Sequence, residues 1–481
     1  VAVIVMFFTS FGFYPKWKQP TTEATISWDV SGYYWYLPSI FIYKDLKGQG
    51  FKDAVLNKYG PTNSDYQQGM LLDNGHYVMK YSSGMAVMYL PFFAVAHMMA
   101  APLGYAADGF SPPYQFAIQL GGLLVAILGL GYLRKLLLLY YDDKVVAIAL
   151  LLLALCSNYL NYAAIDCGMS HSWLFTIYVL LLLNTHYLYK EFSTQRAVKV
   201  GALVGMAILT RPTEILSCMI PLLWGMETIN LRAIKERMGL LMRQYKLFAL
   251  AVLCAFAIVS IQLLYWKYVS GHWLVYSYGE QEFSWKTPHF YDYTFSYKSG
   301  WLVYSPVMVC AFLGLIPFLM RGRNKVAIVS FFLLNYYVVC AWDIWWYGGR
   351  AMVQSYPVLM LPVCALVAAA LNRRITAYAL SIATLCFLYY NTWTIAQYHG
   401  GGLYDSECMT KNYYWRVVGR WSAPERTISL RDSTEVYEGE PMNQTLLYET
   451  DFTKDTTSQF ISNTADGRKH MLLNMVCSQT P

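Results

Sequence analysis

Charged residues are scarce in this chain. Asp, Glu, Lys and Arg make up 14% of its 481 residues, whereas 56% are hydrophobic. Because average soluble chains carry roughly 25% charged residues, this composition excludes an ordinary soluble protein. The ten cysteines form no Cys-x-x-Cys pair and no Cys/His spacing typical of a metal site. The net charge of +7 lies in short clusters between apolar segments, which argues against a nucleic-acid surface.

Long apolar segments are abundant instead. Many approach the ~20 residues that a helix needs to cross roughly 30 Å of hydrocarbon. The sequence therefore predicts an all-α polytopic membrane protein of about 11–13 membrane helices. The full spans are predicted at 114–134, 145–163, 172–190, 247–268, 301–320, 326–341, 352–371 and 375–396, with two shorter pieces at 198–210 and 213–229 and a re-entrant or interfacial helix at 84–103.

Basic residues alternate between the two sides of these helices. Lys and Arg gather in the connections 134–144, 190–199, 232–246, 321–325 and 373–374. The alternate connections, 104–113, 163–171, 211–214, 269–300 and 341–351, are nearly free of them. By the positive-inside rule the first set is cytoplasmic. We therefore predict a multi-pass membrane protein with its polar candidate residues on the outer face.

Two regions are expected along the chain. Residues 1–400 form the membrane domain, and 14–83 is its first outer loop. The aromatic run at 33–36 predicts amphipathic helices on the outer membrane surface. Residues 401–481 form an outer-face region that is partly β, because 427–430 and 445–448 alternate polar and β-prone residues.

Asp29 is the first candidate site residue. It lies among aromatic residues in the first outer loop, and a carboxylate in such surroundings can act as a general base for a hydroxyl. The alternative is an ordinary solvated acid. Asp166 and His171 flank a second outer loop and are candidates to line the same cavity. Their alternative roles are a helix cap and an interfacial histidine.

Several cations are candidates for binding a phosphate. Arg211 and Glu214 separate two short apolar pieces, which places Arg211 below the membrane surface, where a guanidinium can bind phosphate through two hydrogen bonds. The alternative is that the two residues neutralise each other. Lys80 and Lys298 are further candidates, with snorkelling to the membrane surface as their alternative.

The densest cluster of candidates lies at 341–350. It contains Asp343, Trp345, Trp346, Tyr347 and Arg350, next to two glycines. Such aromatic residues also form membrane-interface belts. A belt requires neither charged residues nor glycines that let a ligand approach the backbone. We therefore interpret the cluster as a groove for a sugar or a polyprenyl chain.

These motifs together resemble the GT-C superfamily of membrane glycosyltransferases, which includes protein O-mannosyltransferases and aminoarabinose transferases. The likeness covers 1–400 and rests on Asp29 in the first outer loop, Lys80-Tyr81, Met169-Ser170-His171, Arg211-Pro212 and Trp345 to Gly349. Asp29 has no acidic neighbour, which leaves metal dependence open. Trp345-Trp346-Tyr347-Gly348 lacks the Asp of the oligosaccharyltransferase signature, so peptide recognition is not carried over.

The resemblance implies an inverting transfer of a sugar from a polyprenyl-phosphate donor to a lipid, glycan or protein acceptor. The site would face the periplasm at a bacterial inner (plasma) membrane. Asp29 would be the base. Arg211, Arg350, Lys80 and Lys298 would bind the phosphate, and the other candidates would line the cavity. Membrane lipids are the further partners; no cofactor is assigned, and a divalent metal is left open. The alternative is a transporter or flippase for an anionic substrate, although only one broken segment is visible where transporters usually have two.

Overall fold

The computed structural model describes residues 1–63, 65–279, 281–342, 346–406, 408–424 and 427–432, and the backbone of two strands beyond them. Helices predominate in this part of the chain and strands are few, which confirms the all-α prediction. Its β structure is limited to two antiparallel hairpins. Gly69–Leu71 pairs with Tyr77–Met79, and Ile461–Asn463 pairs with Lys469–Met471.

The helices match the predicted membrane spans closely. Three described helices are long and apolar enough to cross a membrane: Pro112–Leu137, Tyr245–Ser270 and Arg350–Leu371. The last begins as the 3₁₀ helix Arg350–Ser355 and continues as the α-helix Tyr356–Leu371. The other long helices are Gly84–Ala100, Asp143–Cys156, Ser170–Lys190, Thr194–Thr210, Val309–Arg321, Lys325–Ala341 and Arg374–Ala396. The chain is therefore an all-α polytopic membrane protein.

Several of these helices are interrupted. Thr194–Thr210 ends at Arg211, whose backbone is extended because the residue before a proline avoids the helical region. The two half-helices predicted there are present, and the second comprises the 3₁₀ helix Pro212–Cys218 and the α-helix Met219–Leu223. The span predicted at 301–320 is divided at Pro306, which has no N–H to donate. It consists of Trp301–Tyr304, the 3₁₀ helix Pro306–Met308 and Val309–Arg321.

The first outer loop forms short helices, but its aromatic residues do not lie on a surface. Tyr33, Tyr34, Trp35 and Tyr36 are at most 4% exposed. Trp35, for example, packs against Phe110 with ring centres 5.1 Å apart. These rings therefore form part of the protein core. The N-terminal elements are Ala2–Phe8, the π-helix Thr9–Phe13, the 3₁₀ helices Lys16–Lys18 and Thr21–Glu23, and the α-helices Trp28–Tyr34, Tyr36–Phe41 and Lys52–Tyr59.

The remaining elements are short connections. The prediction of β structure at 427–430 is wrong, because Ile428–Leu430 is a 3₁₀ helix; the similar pattern at 445–448 lies outside the described residues. Helix Gly84–Ala100 packs along Pro112–Leu137, and its depth in the membrane stays a prediction. The other elements are the π-helices Asn161–Ile165 and Gln397–Gly401 and the α-helices Leu231–Arg243, Phe290–Phe295 and Lys411–Val417.

Close packing at Gly84 positions the site. A Cβ atom at Gly84 would lie 2.5 Å from the backbone nitrogen of Thr210, nearer than atoms in contact approach. The missing side chain thus lets the start of helix Gly84–Ala100 contact the end of helix Thr194–Thr210. This contact brings the turn that carries Lys80 and Tyr81 beside the helix break at Arg211.

Candidate active site

One cavity collects most of the predicted site residues. Its volume is about 440 Å³, within the range of roughly 300–1,000 Å³ that small-molecule sites occupy. It is lined from the first outer loop, from the start of helix Ser170–Lys190, from the break at Arg211 and from the segment around Arg350. The predicted residues that line it are Asp29, Lys80, His171, Arg211, Glu214, Trp346 and Arg350.

Asp29 is held by an ion pair and a hydrogen bond. Its Oδ2 lies 2.8 Å from Nη2 of Arg350, and its Oδ1 accepts a hydrogen bond of 2.7 Å from the Tyr81 hydroxyl. The preceding residue, Trp28, has a φ of +46°, a left-handed conformation that is unfavourable for a bulky side chain. Such strain is characteristic of functional sites. Both Trp28 and Asp29 line the cavity.

Opposing effects set the pKa of Asp29. Burial raises it, but the charge of Arg350, the Tyr81 hydrogen bond and the charges of Lys80 and Arg211 lower it, and the net effect is a pKa below the ordinary value. Asp29 is therefore a carboxylate at neutral pH, which is the form that a general base requires.

Two further cations of the cavity make no close ion pair among the described residues, although the charges of both act on Asp29. The side chains of Lys80 and Arg211 make no hydrogen bond or ion pair with any residue that the structure describes; we call these two residues the open cations. Lys80 lies over the rings of Tyr81 and Tyr278, 5.7 and 6.0 Å from their centres. Burial and the nearby Arg350 lower the pKa of Lys80, and Asp29 partly opposes this effect. The open cations therefore favour binding of an anion.

A hydrogen-bonded chain contributes three almost fully buried residues, His171, Glu214 and Gln354, to the cavity lining. The side chain of Gln354 donates to Oε1 of Glu214, and the Tyr178 hydroxyl donates to Oε2 of the same carboxylate over 2.5 Å. Nδ1 of His171 lies 3.1 Å from the amide oxygen of Gln354. As whole residues, His171, Glu214 and Gln354 are each 2% exposed, whereas the side chains of Asp29 and Arg350 are each 21% exposed. We call Tyr178, Glu214, Gln354 and His171 the floor chain.

Part of the cavity lining is apolar, and we call it the apolar wall. Two of its segments belong to helices Tyr245–Ser270 and Lys325–Ala341, and a wall of this kind suits a hydrocarbon chain. Phe283 and Trp342 form an isolated β-bridge there, with ring centres 4.7 Å apart. The residues of the wall are Trp266, Val275, Phe283, Val338, Val339 and Trp342.

Three predicted site residues do not line the cavity. Asp166 binds Lys16 over 2.5 Å and accepts a hydrogen bond of 2.9 Å from Asn161. Tyr347 is fully buried and stacks on Tyr398, with ring centres 4.6 Å apart. Lys298 pairs with Asp432 at 3.1 Å. Two more predicted residues, Asp343 and Trp345, lie outside the described part of the chain.

The sequence did not single out several cavity residues. Gln354 was assigned to the apolar span 352–371, yet a polar side chain inside such a span is itself a sign of function. Tyr81 belonged to a recognised motif but received no role. Trp342 lies in the predicted cluster 341–350 and Tyr278 in the predicted outer connection 269–300, but neither was assigned a role of its own.

Metal-binding groups are not assembled in the described part of the chain. Within it, no three His, Cys, Asp or Glu side chains come together as a metal site requires. The cavity carries Asp29, His171 and Glu214, and the last two belong to the floor chain. No metal ligand is therefore assigned.

Comparisons with known proteins give one solved structure. No family model matches the chain, and no curated protein matches it. The chain is similar to the crystal structure of ArnT from Cupriavidus metallidurans in the apo state, with a TM-score of 0.48 and 12% sequence identity. The likeness covers 84% of this chain, which spans 65% of that structure's length. The roles of the cavity residues rest on their own chemistry.

Proposed function

We propose that the chain is a membrane glycosyltransferase of the GT-C type. It transfers a sugar from a polyprenyl-phosphate donor to a hydroxyl of a lipid, glycan or protein acceptor on the periplasmic face of a bacterial inner membrane. Asp29 is the general base. The alternation of basic connections supports this orientation, because the cavity residues belong to the other face.

One observation carries the proposal: a single cavity combines a carboxylate, two open cations and an apolar wall. The open cations suit the phosphate of an amphiphilic donor, because charge-assisted hydrogen bonds to phosphate are strong. The apolar wall, with Trp266 and Trp342, suits the first isoprene units. The ionised Asp29 suits the removal of a proton from the acceptor.

The reaction is a single displacement. The acceptor oxygen forms a bond to the anomeric carbon while the bond from that carbon to the phosphate oxygen breaks, and polyprenyl phosphate leaves. Asp29 takes the proton of the acceptor hydroxyl. Because one displacement occurs, the configuration of the sugar inverts. Lys80, Arg211 and Arg350 stabilise the negative charge that develops on the leaving phosphate.

The test is transfer by the purified full chain, supplied with polyprenyl-phosphate sugars and membrane-extract acceptors. We expect Asp29→Asn to lower the rate about 10²–10⁴-fold, the usual contribution of a general base. Asp53→Asn is the matched control, since Asp53 is 72% exposed and pairs only with the neighbouring Lys52 among the described residues. Asp53→Asn is expected to transfer at the wild-type rate.

Two outcomes would contradict the proposal. Transfer by Asp29→Asn near the wild-type rate removes Asp29 as the base. Movement of the lipid across proteoliposomes, with no sugar transferred by the wild type, supports the flippase alternative instead.

A further inference from the structure

The floor chain fixes the orientation of one amide. Both oxygens of Glu214 accept hydrogen bonds, one from Tyr178 and one from Gln354. Reversal of the Gln354 amide would place its carbonyl oxygen against the carboxylate, and the two would repel. The amide nitrogen therefore points to Glu214, and the amide oxygen points to His171.

The orientation of Gln354 in turn fixes the tautomer of His171. An amide oxygen only accepts hydrogen bonds, so Nδ1 of His171, which lies 3.1 Å away, must carry the proton. In a neutral imidazole the other nitrogen, Nε2, is then a hydrogen-bond acceptor. Nε2 has no partner among the described residues. A second proton on the ring is disfavoured, because Arg211 and Arg350 already line the same cavity.

We propose that Nε2 of His171 accepts a hydrogen bond from a hydroxyl of the donor's sugar, and that the floor chain is a sugar-binding subsite. This inference rests on the proposed function. A neutral acceptor nitrogen selects an uncharged donor such as a hydroxyl, and it gives no attraction to a phosphate. The subsite is thus chemically distinct from the open cations.

The burial of the floor chain supports the assignment to the donor. Asp29 and Arg350 are partly exposed, whereas His171, Gln354 and Glu214 are almost fully buried. A donor with its phosphate at the cations and its lipid on the apolar wall still requires a polar surface for its sugar, and the floor chain is a polar part of the lining that neither of these groups occupies. The acceptor then approaches from the more open side, past Asp29.

The other members of the chain are positioning residues. Gln354 sets the tautomer, Glu214 sets the amide of Gln354, and Tyr178 holds Glu214. None of these three needs to touch the sugar. Their effect is therefore expected to appear in the protonation of the His171 ring as well as in affinity.

The experiment measures binding to the purified full chain without acceptor. The probes are a short-chain polyprenyl phosphate and the same lipid phosphate carrying a hexose, an N-acetylhexosamine or an aminopentose. We expect at least one sugar-bearing lipid to bind the wild type more tightly than the bare lipid phosphate. His171→Asn is expected to lower the affinity for that lipid several-fold, up to about tenfold, because one hydrogen bond is lost. Its affinity for the bare lipid phosphate is expected to stay at the wild-type value.

His171→Gln is the matched rescue variant. A glutamine side chain reaches the position of Nε2, whereas that of asparagine reaches only the position of Nδ1, so His171→Gln should retain most of the affinity. Bare-lipid binding by both variants verifies that they are folded. Ring-nitrogen NMR of His171 provides the second readout: Nδ1 is expected to be protonated and Nε2 unprotonated in the wild type, and Gln354→Leu should abolish this preference.

Distinct results would overturn the inference and the function. If no sugar-bearing lipid binds the wild type better than the bare lipid phosphate, or if His171→Asn binds both as the wild type does, the sugar subsite is refuted and the proposed function survives. If the wild type binds none of these lipids, the proposed function fails, and the subsite fails with it.

Discussion

Two aspartates of this protein each pair with a cation, yet their surroundings differ. Asp29 pairs with Arg350 at the edge of a cavity, and the open cations lie beside it. Asp166 pairs with Lys16, and Asn161 binds its second oxygen. His399 closes this second cluster through Asn161, at 2.5 Å. The sequence offered both aspartates as site residues.

The difference lies in what remains unpaired. Around Asp166 the described charges and polar groups satisfy one another, and the pair joins the N-terminal segment to the loop before helix Ser170–Lys190. Around Asp29 positive charge is left over, and there is space for a ligand. A buried ion pair is therefore weak evidence of a site. An ion pair with neighbouring unpaired charge and a cavity is much stronger evidence.

The largest effect is expected when the ion pair between Asp166 and Lys16 is broken. Lys16→Met leaves a buried carboxylate without its cation, and we expect a loss of about 3–5 kcal/mol in the free energy of unfolding. Affinity for a bare polyprenyl phosphate should stay unchanged in the folded fraction. Lys52→Met is the control, because it removes an ion pair with the exposed Asp53, and such pairs contribute at most about 1 kcal/mol. Denaturant titration measures both. A stable Lys16→Met variant with impaired lipid binding would reverse the comparison.

The second-largest effect tests the cavity that contains the open cations. Arg211→Gln removes one cation and should weaken binding of the bare polyprenyl phosphate by about 1.5–3 kcal/mol, the usual contribution of a hydrogen bond to a charged group. The free energy of unfolding of this variant should remain close to that of the wild type, because the Arg211 side chain makes no close pair with a described residue. Equilibrium binding in detergent measures the loss. An unchanged affinity would show that Arg211 does not contact the phosphate.

The third prediction tests Asp29 as the general base through the pH dependence of the activity. The pKa of Asp29 is lowered in the folded protein, so its carboxylate, and the activity that depends on it, are lost only as the pH falls through that lowered value. We expect kcat/KM to stay level from neutral pH to about 4, the ordinary pKa of Asp. Tyr81→Phe removes a hydrogen bond to the carboxylate and should move the acid limb to higher pH.

Tyr66→Phe is the control for that profile, because Tyr66 is outside the cavity lining and its hydroxyl contacts the sulfur of Met79. It should leave the acid limb in place. An acid limb that does not move in Tyr81→Phe would show that another group titrates in the reaction.

The lowered pKa of Asp166 likewise predicts that the cluster of Asp166, Lys16, Asn161 and His399 resists acid. Burial raises the pKa of Asp166. The charges of Lys16 and His399, together with the hydrogen bonds from Lys16 and Asn161, lower it by more, so that the net pKa is about 2. Its contribution to stability is therefore complete above the ordinary Asp value of about 4 and is lost as the pH falls toward 2.

The smallest effect concerns Lys298. Its ammonium group pairs with Asp432, and both side chains are about half exposed. We expect Lys298→Gln to change lipid-phosphate affinity by less than about twofold, because exposed pairs contribute little and Lys298 does not line the cavity. A large loss in the binding assay would place Lys298 in the phosphate site as a second lysine beside Lys80.

The helices could be predicted because their signals are local. The predicted span 247–268 became Tyr245–Ser270, and 326–341 became Lys325–Ala341. Pro212 marked the helix break at Arg211 for the same reason, since a proline acts on its immediate neighbours. The buried aromatic residues of the first outer loop were misplaced, because a lipid surface and a protein interior attract the same side chains.

The sequence by itself determined the all-α polytopic design, the helix bounds and a set of polar candidates on one face. Only the tertiary structure decided which candidates share a cavity. Asp166 and Lys16 are 150 positions apart, and Gln354 is 140 positions from Glu214. Such contacts depend on how helices pack over long sequence distances, and a pattern of neighbouring residues carries no record of that packing. The open charge around Asp29 and the paired charge around Asp166 are thus properties of the fold.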